Sequence, residues 1–406
     1  MTQNFILVYT YYATPWKIDS GDSIRIHTVC RALSRIFGKV IVYNLSHLVN
    51  EYTIVVKDNI VYVNFPRKLY RLIAKIIRWR MNEDLNPLIK ITHYVDELIA
   101  VSKLAAELKL ATLVYVFGSM TLFSFFTRLF KIKKGLVYDA LANYAQTLYL
   151  RSRKKLKDIL KYGLYLALHK LQLKASDLII YPSYHDLRNA VGMFRIFNTL
   201  IVPNPPPICY KSFEEYKLLR QQRKEFDKPY FVLVAGGRSP ANKEAVRITI
   251  KVFNELPSEN FRLFITGPWY DMKKYVKSSS IKILGIIPYS ELKKILAMSD
   301  FGLVSIFSHV AGTFLKTLAY IAAGLNLIST PWGLIGIDPS WLKNRHVIII
   351  RDMNEYKDAI RSVISSFSFD TIAIEHRNVL LCGNMGAIFM HLRKITDLVL
   401  KHRDVD

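Results

Sequence analysis

Two successive series of short apolar runs, each run followed by residues at helical spacing, constrain this chain more than any other feature. Only a parallel sheet flanked by crossover helices buries such runs on both faces. In the first series, residues 5–11, 40–43, 113–117 and 136–139 read as strands, and residues 23–37 set Ile26, Val29, Cys30 and Leu33 on one face of a helix. In the second, residues 230–234, 261–266, 281–284, 301–306, 326–329 and 346–350 read as strands. Helices are expected up to about residue 255, then over 290–298, 313–323 and 356–364. The expected fold class is α/β.

At 406 residues the chain is long enough for two such units with complete cores. Its hydrophobic content of 51% against 22% charged residues argues for a folded chain. The charge balance is unusual: Lys+Arg 57 against Asp+Glu 32, a formal +25. Such an excess attracts phosphates, nucleic acid or an anionic bilayer without choosing among them. No helix-turn-helix, zinc-finger or RNA-recognition pattern accompanies it, so nucleic acid is the least supported partner.

Cys30, Cys209 and Cys382 lie far apart and form no Cys-Xaa-Xaa-Cys pair, so neither a disulfide framework nor a zinc ribbon is expected, and a cytoplasmic location is the default. The first residues lack a basic segment and a cleavage site and read as an immediate strand. Residues 110–127 carry no charge and approach membrane-spanning length. The β-prone 113–117 and the break at Gly118-Ser119 favour a buried strand, a turn and a helix.

Residues 230–338 concentrate the chemistry. The strand 230–234 runs into Ala235-Gly236-Gly237-Arg238, with Lys243 after a short polar turn. Bare glycine backbone lets a bulky anion come close, and a following arginine and lysine can neutralise a diphosphate. Further on come Gly312-Thr313, opening a helix that carries Lys316, and Ala322-Ala323-Gly324 before a strand.

Taken in order, these residues resemble the donor-binding half of a retaining, two-Rossmann-domain (GT-B) glycosyltransferase of the large GT4-like group. The correspondence rests on Arg238 and Lys243, Ile265-Thr266-Gly267, residues 281–285, Ser299-Asp300 and residues 324–329. Asp139 at a strand end, Ala175-Ser176-Asp177 before a strand, and Ile201-Val202-Pro203-Asn204 extend it into the first half. The resemblance implies two Rossmann-like domains facing across a cleft. Residues 1–207 would form the acceptor-side domain, 208–228 a linker after the stiff Pro205-Pro206-Pro207, 229–380 the donor-nucleotide domain, and 381–406 a C-terminal helix returning to the first.

It also implies roles. Arg238 and Lys243 would meet the leaving diphosphate, with His309 near the transferred sugar and Asp139 at the cleft. Gly21, Gly236, Gly237, Gly267, Gly312, Thr313 and Lys316 would hold the donor. Each has a plainer reading: Asp19-Ser20-Gly21-Asp22 as a helix cap, His309 as a structural histidine, Lys316 as a solvated helix residue. The resemblance calls for no metal, and none of the usual metal motifs is present. In one respect the chain departs from the pattern: the two glutamates that flank this loop in the family are replaced by Ala311 and Ala319, neither able to accept a bond from a ribose hydroxyl.

Residues 66–81 put Arg67, Lys68, Arg71, Lys75 and Arg78 on one side of a helix and Leu69, Leu72, Ile73, Ile76 and Ile77 on the other, without an acidic residue. A basic amphipathic helix suits the surface of an anionic membrane, though it equally suits a domain helix with a solvated basic side. Arg151, Arg153, Lys154, Lys155, Lys157 and Lys161 form a second cluster. The expected activity is transfer of a sugar from a nucleotide sugar to a lipid-linked or cell-envelope acceptor by a membrane-peripheral enzyme. The alternative is a catalytically silent protein of the same fold that binds a partner or membrane.

Overall fold

The computed structural model describes residues 5–10, 21–46, 51–66, 87–118, 122–132, 135–140, 156–196, 198–307, 314–343, 345–368 and 379–380. The chain divides into two compact units that part between Pro205 and Pro206. The basic segment with Arg67, Lys68, Arg71, Lys75 and Arg78, the cluster Arg151 to Lys155 and the final segment 381–406 lie outside the described residues.

In the first unit the chain runs β1 (Phe5–Thr10), α1 (Gly21–Phe37), β2 (Lys39–Ser46), β3 (Thr53–Lys57), β4 (Ile60–Pro66), α2 (Pro87–Lys103), α3 (Ala105–Leu110) and β5 (Leu113–Phe117). It continues through α4 (Phe123–Leu129), β6 (Gly135–Asp139), α5 (Leu156–Lys174), β7 (Leu178–Tyr181), α6 (Tyr184–Phe194) and β8 (Thr199–Ile201). The sheet order is β3-β4-β2-β1-β5-β6-β7-β8, and only β3 is antiparallel to its neighbour. Strands β1, β5, β6 and β7 are buried at every position, which is why they read as unbroken apolar runs. Val8, Val42, Tyr62 and Tyr115 pack on one face with Ile26, Val29, Cys30 and Leu33 of α1, the four residues expected there. Leu7, Tyr9, Val114 and Tyr138 pack on the other with Leu104, Leu108 and Phe123.

The hairpin β3–β4 is absent from the sequence reading. Its signal is the dipeptide Asp58-Asn59, both residues at positive φ of 53° and 62°, the backbone that a two-residue hairpin loop demands. Residues 110–127 resolve as β5, a break at Gly118 and α4. Among the described residues no helix is long and apolar enough to cross a membrane.

The second unit holds α7 (Phe213–Arg220), β9 (Tyr230–Val234), α8 (Pro240–Asn254), β10 (Arg262–Thr266), β11 (Ile281–Gly285), α9 (Tyr289–Met298), β12 (Phe301–Val304), α10 (Leu315–Ala322), β13 (Asn326–Ser329), β14 (Val347–Ile349) and α11 (Met353–Ser365). Its sheet, β11-β10-β9-β12-β13-β14, is parallel throughout. Counting parallel strands in chain order, both sheets run third, second, first, fourth, fifth, sixth, the order of a doubly wound nucleotide-binding sheet, and the first adds a seventh at its edge.

The two motif aspartates perform the same task in the two units. Asp177 Oδ2 accepts from the Leu136 amide at 2.7 Å while Oδ1 meets Arg128 at 2.5 Å. Asp300 Oδ2 accepts from the Tyr230 amide at 2.9 Å, and the carboxylate is held by Arg220 at 2.8 Å and Arg223 at 2.6 Å. Each thus anchors the start of a neighbouring strand. The arginines of the second set lie in the stretch read as a linker, so that stretch is bound through α7 into the second unit.

One expectation on cysteine chemistry is corrected. Cys30 is a buried free thiol, but Cys209 is disulfide-bonded, its partner outside the described residues. Spacing along the chain gave no hint of it, because the fold brings distant segments together: the Tyr210 amide donates to the Leu380 carbonyl at 3.0 Å.

Candidate functional site

In a sheet of this order, ligands gather outside the C-terminal ends of the first and fourth strands, where the winding direction reverses. In the second unit those are β9 and β12. Beyond β9 the chain passes through Gly236 and Gly237 and enters α8 through Ser239, whose Oγ accepts from the Asn242 amide at 3.2 Å, with Pro240 in the first turn. The helix therefore begins at a fixed point, its positive end beside the glycine turn.

The glycines differ in what they do. A Cβ on Gly236 or Gly237 would meet no protein atom, and neither has positive φ. Gly267 has φ of +117°, and a Cβ there would stand 2.0 Å from the Ala235 carbonyl oxygen. Its amide donates to Gly285 at 2.7 Å, and the Trp269 indole donates to the same Ala235 oxygen at 2.7 Å. Gly267 is thus a structural glycine that lets two strand ends close together. The expectation that it touches the donor has a complete fold explanation instead.

Arg238 and Lys243 are exposed, and neither side chain makes a hydrogen bond or ion pair among the described residues. Lys316, from the first turn of α10, is half-buried, and its Nζ donates to Asn242 Oδ1 at 2.7 Å. Asn242 Nδ2 in turn donates to the Gly237 carbonyl at 2.9 Å. The tertiary structure thereby brings the glycine turn, the start of α8 and Lys316 together. Loss of hydration disfavours the charged amine and lowers its pKa to about 7. Beneath them Tyr320 OH accepts from the Val234 amide at 2.7 Å and donates to the Leu303 carbonyl at 3.3 Å, fixing α10 against β9 and β12.

His309, Gly312 and Thr313, and with them Ala311, lie outside the described residues. Gly21 is the first residue of α1. Asp139, expected at a catalytic cleft, is fully buried at the end of β6. Its carboxylate accepts from Arg25 Nε at 3.0 and 3.2 Å and from Tyr115 OH at 2.9 Å. A carboxylate so engaged has no open surface to offer a substrate. Arg25 also donates to Val202 O, Pro203 O and Asn204 Oδ1, so the pair fastens α1 and β6 to the exit of the first unit.

A separate cavity of about 440 Å³, lined by Asp227, Pro229, Glu255 and Arg361 among others, opens beside the residue preceding β9. It is at the other end of that strand from the glycines and shares none of their residues.

No family model and no curated protein matches the chain. Solved structures do. WaaG, a glycosyltransferase involved in lipopolysaccharide biosynthesis, is 15% identical with a TM-score of 0.67 over 97% of this chain and 99% of that one. The alpha,alpha-trehalose 6-phosphate synthase from Burkholderia multivorans is 12% identical with a TM-score of 0.65, each chain covered in full at 100%. A trehalose-6-phosphate structure from E. coli bound with UDP-2-fluoro glucose is 12% identical with a TM-score of 0.62 over 98% of this chain and 96% of that one.

The fold is GT-B.

Within the GT-B fold the departure at position 319 acquires a physical meaning. Ala319 is 1% exposed and packs with Leu318, Tyr320 and Ile321 in the core beneath α10. A donor ribose finds neither a polar group nor open surface at that side chain. Asn242, Tyr320 and Arg25 were missed as positioning groups. Only the Ser239-Pro240 cap two residues before Asn242 hints that it is fixed in space, and nothing local links it to a lysine 74 residues away.

Proposed function

We propose that this chain is a glycosyltransferase that moves a sugar, with retention, from a nucleoside-diphosphate sugar to a lipid-linked or cell-envelope glycan at a membrane surface. What carries the reading is a pair of glycines that the fold does not need. Gly236 and Gly237 have neither strained φ nor a neighbour to avoid, yet they stand at the reversal point of the second sheet and directly before a helix N-terminus. Bare backbone in that place suits a diphosphate.

Arg238 and Lys243 supply charge to the leaving diphosphate as the glycosidic bond breaks, each exposed and uncommitted to any partner among the described residues. Lys316 adds an amine from the far side of the turn. The donor class is supported by the UDP-2-fluoro glucose held in the similar E. coli structure. The formal charge of +25 and the basic helical pattern at 66–81 support the membrane-surface part of the reading.

A second reading retains the nucleotide site without transfer. It is favoured by Ala319, a buried methyl where the family resemblance expects a ribose-holding glutamate. Incubating the full chain with a panel of nucleotide sugars, with and without membrane extract, separates the two. Release of nucleoside diphosphate from one donor, increased by extract, supports transfer. Binding without release supports the silent form, and an absence of both release and binding rejects the nucleotide site.

A further inference from the structure

Asn242 belongs to no motif and takes no part in the reaction just described, yet the polar contacts of the candidate site converge on it. Its Nδ2 donates to the Gly237 carbonyl at 2.9 Å, its Oδ1 accepts from Lys316 Nζ at 2.7 Å, and its backbone amide donates to Ser239 Oγ at 3.2 Å. One residue therefore ties together the turn after β9, the first turn of α8 and the start of α10. The task needs a donor and an acceptor on the same short side chain. Aspartate lacks the donor and leucine lacks both.

Lys316 is placed to respond to an anion. The ring of Phe314 lies 5.8 Å from its Nζ, and α10 carries no other charged side chain. The charged groups on the turn and on α8 are Arg238 on the turn and Lys243, Glu244, Arg247 and Lys251 on α8. None of them pairs with Lys316 among the described residues, and burial alone accounts for its weakened hold on a proton. An ammonium with one amide acceptor and, among the described residues, no counter-charge gains most when a negative group arrives beside it.

Resting on the nucleoside-diphosphate reading above, we infer that Asn242 is the positioning residue of this site, holding the Gly237 carbonyl and the Lys316 amine in one arrangement, and that a diphosphate binds there together with a proton taken up by Lys316.

The test is calorimetric titration of the full chain with inorganic pyrophosphate at pH 8, in two buffers of unlike ionisation heat, which counts protons taken up on binding. Protons belonging to pyrophosphate itself enter equally for every variant. Wild type should take up about one proton more than Lys316→Met. Asn242→Ala should bind roughly tenfold more weakly and lose part of that extra uptake. Asn242→Asp should lose nearly all of it, because the new carboxylate keeps Lys316 protonated before ligand arrives. Thermal unfolding of each variant reports whether it folds. If Lys316→Met matches wild type in proton count and affinity, the inference is overturned. It is equally overturned if Asn242→Ala lowers Tm but keeps the wild-type affinity and count, the behaviour of a merely structural asparagine. Should wild type bind neither pyrophosphate nor any nucleoside diphosphate, the functional reading itself falls and takes this one with it.

Discussion

Arg25 Nη2 and Asp139 Oδ2 stand 2.9 Å apart, their side chains 2% and 0% exposed, although 114 residues separate them in sequence. The pair joins the first helix to the end of β6 and, through Asn204, to the last residues of the first unit. Removing one member leaves a buried charge without its partner, which typically costs about 3–5 kcal/mol. Asp139→Ala should therefore lower stability by that order in urea unfolding, and Arg25→Met with Asp139→Leu should recover a large part. Recovery of stability without recovery of activity would instead make Asp139 a catalytic group.

Glycine substitutions should separate fold from function. Gly267→Ala forces a side chain into a left-handed backbone and against the Ala235 carbonyl, and should destabilise by about 2 kcal/mol or more. Gly236→Ala and Gly237→Ala meet open space and should stay within about 0.5 kcal/mol of wild type. They should nonetheless weaken nucleoside-diphosphate binding, measured by calorimetry on the same preparations.

The exposed cations should behave in the opposite way from the buried pair. Arg238→Ala and Lys243→Ala remove no hydrogen bond or ion pair among the described residues, so Tm should hold. Each should reduce nucleoside-diphosphate affinity by roughly tenfold, the loss of about 1.4 kcal/mol of charge-assisted bonding.

Lys316 gives a pH signature in stability. Its pKa falls from the ordinary 10.5 to about 7 on folding, so between those values the unfolded chain holds a proton that the folded chain has released. Stability should rise with pH across that window, by up to about 1.4 kcal/mol per unit, and level off above it. Lys316→Met should flatten this slope and stabilise the protein most below pH 7, where the wild type must bury a charge. Urea unfolding at pH 6, 8 and 10 measures it.

Membrane attachment is tested on the basic segment. Changing Arg67, Lys68, Arg71, Lys75 and Arg78 to glutamine should abolish co-sedimentation with phosphatidylserine-containing vesicles at low salt, since each cation contributes about 1 kcal/mol near an anionic surface. Equal pelleting of wild type and variant removes this segment from the function.

Much of the fold was legible because buried parallel strands announce themselves as apolar runs. The strand 230–234 and the helical face of Ile26, Val29, Cys30 and Leu33 came out as read. The β3–β4 hairpin was not, since β3 is an edge strand with exposed Tyr52, Ile54 and Val56 flanking it and within it, and so lacks the pattern of a buried run. At the site, the glycine turn and its two cations could be read because they are contiguous. Asn242 and Tyr320 could not, because their partners belong to other elements.

The order of strands and helices, the placement of glycine and cation after β9 and the overall excess of positive charge are properties of the sequence alone, because local spacing and side-chain chemistry carry them. Tertiary structure decided which aspartate is buried against an arginine, which glycine is demanded by a neighbouring carbonyl, and that Lys316 meets Asn242. Those outcomes depend on distances between residues far apart in the chain. Burial then changes what the same group can do: it turns Asp139 into an anchor and brings the Lys316 amine within reach of neutral pH.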